Sequence, residues 1–184
     1  MNIPEHGLSR EEILATLESY KQHDVKWKSG KVLALVYDPG LKAREIVNTA
    51  YIEFMTENGL DPTSFPSLLK LETEVVRMVA NLLRGDEQVV GNLTTGGTES
   101  IMLAVKTARD KARAERPEIT TPEMVLPLTA HPAFHKAAHY LDLKLVTTPF
   151  DPGTFRADVD AMREAITENT VLLIASFSTS RSTA

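Results

Sequence analysis

The apolar positions of this chain recur first at helical spacing and then in short runs set between helices. In residues 9–23, Ile13, Leu14, Leu17 and Tyr20 fall on one face behind Ser9 and Glu12, a capping-box pair, so the spacing predicts a helix. The apolar run at residues 32–37 ends at Asp38-Pro39-Gly40, a turn signal. Residues 41–57 predict a second helix, with Ile46, Ala50 and Phe54 spaced by four. After Asn58-Gly59-Leu60-Asp61-Pro62, residues 67–84 predict a third, with Leu68, Leu71, Val75, Val79 and Leu82 on one stripe and Gly85 as its C-cap.

The pattern changes near residue 89. Apolar runs at 89–93, 124–128, 144–148 and 171–175 alternate with helical spacing at 98–113, 133–141 and 158–166. Strand and helix in alternation at this spacing indicate βαβ units and a mainly parallel sheet. The expectation is a helical N-terminal arm over residues 1–88, part of an α/β domain over 89–176, and a Ser/Thr-rich tail over 177–184.

Composition narrows the chemistry. The chain has 184 residues, no cysteine and a formal net charge of −5. Without cysteine there is no disulfide framework, no zinc–thiolate site and no thiol nucleophile. The acidic balance argues against a nucleic-acid partner. No apolar run approaches the roughly 20 residues of a membrane span, so the expected compartment is the cytoplasm.

Two segments carry candidate chemistry. Thr94-Thr95-Gly96-Gly97-Thr98-Glu99-Ser100 stands just before a helix, where paired glycines, hydroxyl donors and the free N–H groups of a first turn favour a phosphate. It is neither a Walker loop nor a dinucleotide fingerprint, and a plain strand-to-helix turn capped by Thr98 is the competing reading. The second segment is Ala130-His131-Pro132-Ala133-Phe134-His135-Lys136-Ala137, which places His131 at the end of a strand, where open α/β sheets bind ligands. His131, His135 and His139 share a metal-like spacing. Lys136 beside them and the absence of a nearby carboxylate favour a helix surface instead, so no metal is expected. There is no G-x-S-x-G elbow, and no base is arranged around Ser100.

In this order these segments resemble the pyridoxal-phosphate-dependent group II decarboxylase superfamily, and within it the sphingosine-1-phosphate lyase-like branch. Trp27-Lys28-Ser29-Gly30-Lys31-Val32 through Tyr37 resembles the family's substrate-entrance segment. Phe65-Pro66-Ser67-Leu68 with the helix after it, the Gly-Gly-Thr-Glu-Ser loop and the Ala-His motif follow as they do there. The resemblance implies an α/β large domain of fold type I, like that of aspartate aminotransferase, in a homodimer that the arm helps to form. The cofactor implied is pyridoxal 5'-phosphate and the substrate a small-molecule amine, a lyase or decarboxylase task in carboxylic acid metabolism. By position, Gly97, Thr98 and Ser100 would hold the cofactor phosphate and His131 would lie against its ring. Tyr37 and Asn58 would bind substrate.

The chain also departs from the family pattern. Asp61 stands where the phosphosphingolipid lyases carry a histidine, and its charge would repel a substrate phosphate. The family's Schiff-base lysine and the acidic partner of the pyridine nitrogen lie beyond the strand matching residues 171–175. The tail Phe177-Ser178-Thr179-Ser180-Arg181-Ser182-Thr183-Ala184 stands in place of the expected proline-containing segment. The expectation is a truncated or frame-shifted product with no catalytic residue of its own and marginal stability. The alternative functions are a catalytically inactive dimerisation or interaction fragment, and an unrelated phosphate-binding α/β protein with no use for His131.

Overall fold

The structure, a computed structural model, describes residues 5–32 and 36–175. Part of the apolar run at 32–37 and the whole Ser/Thr-rich tail therefore lie outside the described residues. The chain divides into two compact units, Met1–Leu69 and Lys70–Ala184.

In the first unit, α1 spans Arg10–Tyr20 and carries the complete capping box: Ser9 accepts from the Glu12 N–H, and Glu12 accepts from the Ser9 N–H at 2.8 Å. The predicted helix over 9–23 thus ends earlier, passing into a 3₁₀ turn at Lys21–His23. A second 3₁₀ turn, Trp27–Ser29, closes on Gly30, whose left-handed φ of 76° suits glycine. The Lys28 ammonium and the Arg44 guanidinium lie 5.5 and 5.4 Å from the Trp27 ring centre, and Asp38 binds Arg44. Helix α2 covers Leu41–Glu53, shorter than the predicted 41–57, because the chain already turns at Phe54. Among the described residues of this unit none is buried. Ile46 and Tyr51 on α2 remain 71% and 76% exposed.

Helix α3, Pro66–Leu82, leads into the second unit. Its end differs in detail from the predicted glycine cap. Arg84 takes the left-handed conformation, at φ 59°, while the Gly85 N–H bonds the Ala80 carbonyl at 2.8 Å and the Arg84 N–H bonds that of Asn81. This is a Schellman pattern with arginine at the strained position. Gly85 is needed for a different reason: a Cβ there would sit 2.7 Å from Val89 Cγ2.

The predicted strand at 89–93 does not form; the segment is irregular and has no strand neighbour among the described residues. Side chains of α3 take over part of its backbone bonding. Arg77 donates to the carbonyls of Glu87 and Val89, and Glu72 accepts the Leu93 N–H at 3.0 Å. An apolar groove of about 490 Å³ is lined by this segment and by Val75, Val76 and Val79 of α3.

Beyond it the alternation holds. Helix α4 is Gly97–Glu115, β1 Glu123–Pro127, α5 Pro132–Leu141, β2 Lys144–Thr148, α6 Val159–Glu164 and β3 Thr170–Leu173. The three strands form a parallel sheet in the order β2-β1-β3, with Val125 opposite Val146 and Leu173. The central strand β1 is buried along its whole length. Met124 and Leu126 turn to one face, where they pack with Val105 of α4, Ala137 and Ala138 of α5, and Leu143. The small α5 residues let that helix lie close against α4. At the N-terminal edge of the sheet, buried Glu123 accepts from Lys144 Nζ at 2.8 Å and from the Thr167 hydroxyl at 2.6 Å. Those bonds hold its carboxyl below the ordinary glutamate range.

Candidate functional site

The site grows from the starts of α4 and α5, and both starts lie at one edge of the sheet. Helix α5 joins β1 to the parallel β2, so it begins at the carboxyl end of β1. Helix α4 runs the same way. Arg109, in its second half, donates to the carbonyl of Leu141 at the end of α5, and Arg116 just past it donates to that of Thr170 at the start of β3. The far ends of both helices therefore meet at the amino edge of the sheet, and their first turns meet at the carboxyl edge. Ile101 and Met102 of α4 and Phe134 of α5 close the core beneath that edge.

The α4 start is built without a side-chain cap. Gly96 is its N-cap, in extended backbone, and the Ser100 N–H makes the first helical bond to the Gly96 carbonyl at 3.1 Å. Thr98 is not the cap that the plain-turn reading needs. The N–H groups of Gly97, Thr98 and Glu99 have no carbonyl one turn behind them, and the helix dipole adds partial positive charge there. A Cβ placed on Gly96 or Gly97 meets nothing within 4 Å, so the space beside these two glycines is open.

Side chains hold this loop in shape. The Thr94 hydroxyl bonds that of Ser100 at 2.6 Å and donates to the Gly96 carbonyl at 3.1 Å. Glu99 reaches back to accept from the Thr95 N–H at 2.7 Å and the Thr95 hydroxyl at 2.6 Å. Those two bonds hold the Glu99 carboxyl below its ordinary range. Ser100 thus enters the site with its hydroxyl already engaged by Thr94.

His131 is the N-cap of α5. Its Nδ1 accepts from the Ala133 N–H at 3.1 Å, so the neutral ring carries its proton on Nε2. Pro132 occupies the first helical position as predicted. The ring is exposed at the same edge as the α4 start. The other two histidines do not join it: His139 is tilted against Tyr140, and among the described residues no three His, Asp or Glu side chains group around a metal position.

Tyr37 and Asn58 belong to the first unit. Tyr37 is 89% exposed, and Asn58 Oδ1 accepts from the Leu60 N–H at 3.1 Å, which shapes its own loop. Asp61 accepts from the Thr63 N–H and the hydroxyls of Thr63 and Ser64, and these bonds keep its carboxyl below the usual range. Sequence reasoning named Gly97, Thr98, Ser100 and His131 but not Glu72 and Glu99. Glu99 was legible as an acidic residue three positions after the helix N-cap. Glu72, distant in sequence from Leu93, left no such signal.

Residues 2–182 match the pyridoxal-dependent decarboxylase conserved domain. The chain is 44% identical to rat sphingosine-1-phosphate lyase 1 over 95% of its own length and 30% of that protein's. It is 32% identical to a probable L-aspartate decarboxylase of Pyrococcus furiosus, covering 44% of that protein. In structure it superposes on a Burkholderia pseudomallei sphingosine-1-phosphate lyase with a TM-score of 0.84 and 39% identity, over 94% of this chain and 41% of that one. The chain therefore spans about a third to under half of the length of these relatives.

Proposed function

This chain belongs to the pyridoxal-dependent decarboxylase family, and from that membership we propose that it serves a pyridoxal-phosphate-dependent carbon–carbon lyase or decarboxylase acting on an amine or amino acid. The observation that carries the reading is the open, uncapped start of α4 beside the exposed ring of His131. Both sit at the carboxyl edge of a parallel sheet, where α/β proteins bind ligands.

In this reading the N–H groups of Gly97 and Thr98 and the Thr98 hydroxyl hold the cofactor phosphate, and the Ser100 hydroxyl joins them by turning its proton from Thr94 to the phosphate. Their fit rests on first-turn donors without helical partners and on the open space beside the two glycines. His131, its orientation set by the bond from Ala133, offers a flat ring face to the pyridine. The bound cofactor supplies an electron sink for the bond broken next to the substrate amine. Tyr37 and Asn58 are assigned to substrate. Asp61, held ionised by Thr63 and Ser64, disfavours a phosphate ester and favours an amino acid or other unphosphorylated amine.

Residues 1–88 are assigned as a dimerisation arm and 89–176 as part of the cofactor domain. The support for a homodimer is the lack of buried residues among those described in the first unit, which leaves the apolar positions of α1 and α2 to find cover in a partner. The test is turnover by the protein with pyridoxal phosphate. Carbon dioxide release from α-amino acids supports the decarboxylase reading, and a long-chain aldehyde from a phosphorylated sphingoid base supports the lyase but refutes the role given to Asp61. No turnover with either substrate, together with no binding of pyridoxal phosphate by the chain, overturns this reading and leaves the interaction fragment.

A further inference from the structure

The phosphate-binding reading leaves two carboxylates unexplained. Glu99 stands in the first turn of α4, within the region that is to receive a dianion, and Glu72 reaches the same loop from α3. An anion at a helix start competes with a phosphate for the same donors and dipole. On charge alone both residues should weaken the site. Their hydrogen bonds point to a different task. Glu72 Oε1 fixes the N–H of Leu93, one residue before the loop, and Glu99 Oε2 fixes the N–H and hydroxyl of Thr95 inside it. Each carboxylate thereby commits one of its oxygens to the chain leading into α4.

Among the described residues the sheet does not supply that rigidity. Residues 89–93 have no strand neighbour among the described residues, and the segment lines an apolar groove of about 490 Å³ with α3. Gly91 approaches α3 closely, where a Cβ would lie 3.1 Å from Val76 Cγ1. Between Gly91 and the first turn of α4, Glu72, Glu99 and Thr94 supply side-chain bonds to the backbone. Any drift of Thr94 or Thr95 would swing Gly96 and Gly97 and close the open space beside them.

We propose that Glu72 and Glu99 are positioning residues that brace the segment leading into the loop, Glu72 at Leu93 and Glu99 at Thr95, and hold the α4 start open for the cofactor phosphate. The proposal rests on the phosphate reading of that start. It separates brace from charge, because glutamine keeps the accepting oxygen and loses the charge, whereas alanine loses both. If the carboxylates brace the loop, the Gln variants bind pyridoxal phosphate at least as tightly as the parent. The Ala variants then bind it about tenfold more weakly, the loss expected of one charge-assisted hydrogen bond.

The experiment is a fluorescence titration of the full chain and of E72Q, E72A, E99Q and E99A with pyridoxal phosphate and, separately, with pyridoxal, which lacks the phosphate. Circular dichroism melts confirm that each variant folds. The expected result is an affinity ratio, pyridoxal phosphate over pyridoxal, that is kept in the Gln variants and falls about tenfold in the Ala variants. Ala variants that bind pyridoxal phosphate as tightly as the Gln variants overturn the brace and leave only a charge effect. A parent chain that does not distinguish the two ligands overturns the phosphate reading itself, and the brace with it. An Ala variant that fails to fold shifts the decision to its Gln partner together with the T95A variant, which removes the hydroxyl half of the Glu99 brace. Unchanged affinity in T95A then refutes the proposal for Glu99.

Discussion

Removing the buried carboxylate at the amino edge of the sheet should cost stability that depends on pH. Glu123 is 4% exposed and accepts two bonds, from Lys144 Nζ at 2.8 Å and from the Thr167 hydroxyl at 2.6 Å. The Lys144 side chain is 59% exposed, so its ion pair is screened and contributes about 0–1 kcal/mol. The Thr167 bond to a buried carboxylate contributes about 1.5–3 kcal/mol. The E123A variant should therefore be destabilised by about 2–3 kcal/mol, and E123Q, whose single amide oxygen can accept from only one of the two donors, by about 1–2 kcal/mol. The folded-state carboxyl lies below the reference value of 4.5, so its stabilisation is fully present above that value. It is lost as pH falls through the lower folded value. Urea unfolding of parent and E123Q from pH 7 to pH 3 should show the gap between them constant down to about pH 5 and shrinking below it. A gap that stays constant to pH 3 would refute the assignment of that stability to the ionised Glu123.

Four further outcomes follow from the same geometry. Gly85→Ala drives a methyl into Val89 Cγ2 at 2.7 Å and should lower stability by about 1–3 kcal/mol in urea unfolding; an unchanged midpoint would show that Val89 moves aside freely. Gly96→Ala meets no atom within 4 Å, so stability should move by less than about 0.5 kcal/mol while pyridoxal phosphate affinity falls, and equal affinity would mean the ligand does not occupy that space. His131→Ala removes the α5 cap and should cost about 0.5–2 kcal/mol, with His131→Asn recovering most of it; failure of Asn to recover it would separate the ring from the cap. Leu126→Ala opens a cavity in the centre of the small sheet and should cost about 2–5 kcal/mol, enough to broaden or abolish the cooperative transition; a sharp, unshifted melt would contradict the core assignment.

Most of the α/β alternation was legible because each element there carries its own pattern. The runs at 124–128 and 144–148 are bounded by turn residues and pair in the sheet, and Pro132 marks the start of α5 to the residue. The run at 89–93 reads the same way by composition, yet a strand needs a neighbour's backbone and here side chains of α3 bond the segment instead. Local pattern cannot reveal that. The end of α3 shows the same limit on a smaller scale, since Arg84 rather than Gly85 takes the left-handed turn. In the site, the glycine loop and His131 were readable from motif and position. The bond from Glu72 to Leu93 depends on how α3 lies beside the loop, which no spacing rule encodes.

The central claim is that the start of α4 receives the cofactor phosphate. Amide chemical shifts of a nitrogen-15-labelled chain test it most directly. Pyridoxal phosphate should shift the N–H signals of Gly97, Thr98 and Glu99, inorganic phosphate should shift the same signals, and pyridoxal should leave them in place. Shifts by pyridoxal phosphate confined to other residues, with these three unmoved, would contradict the account.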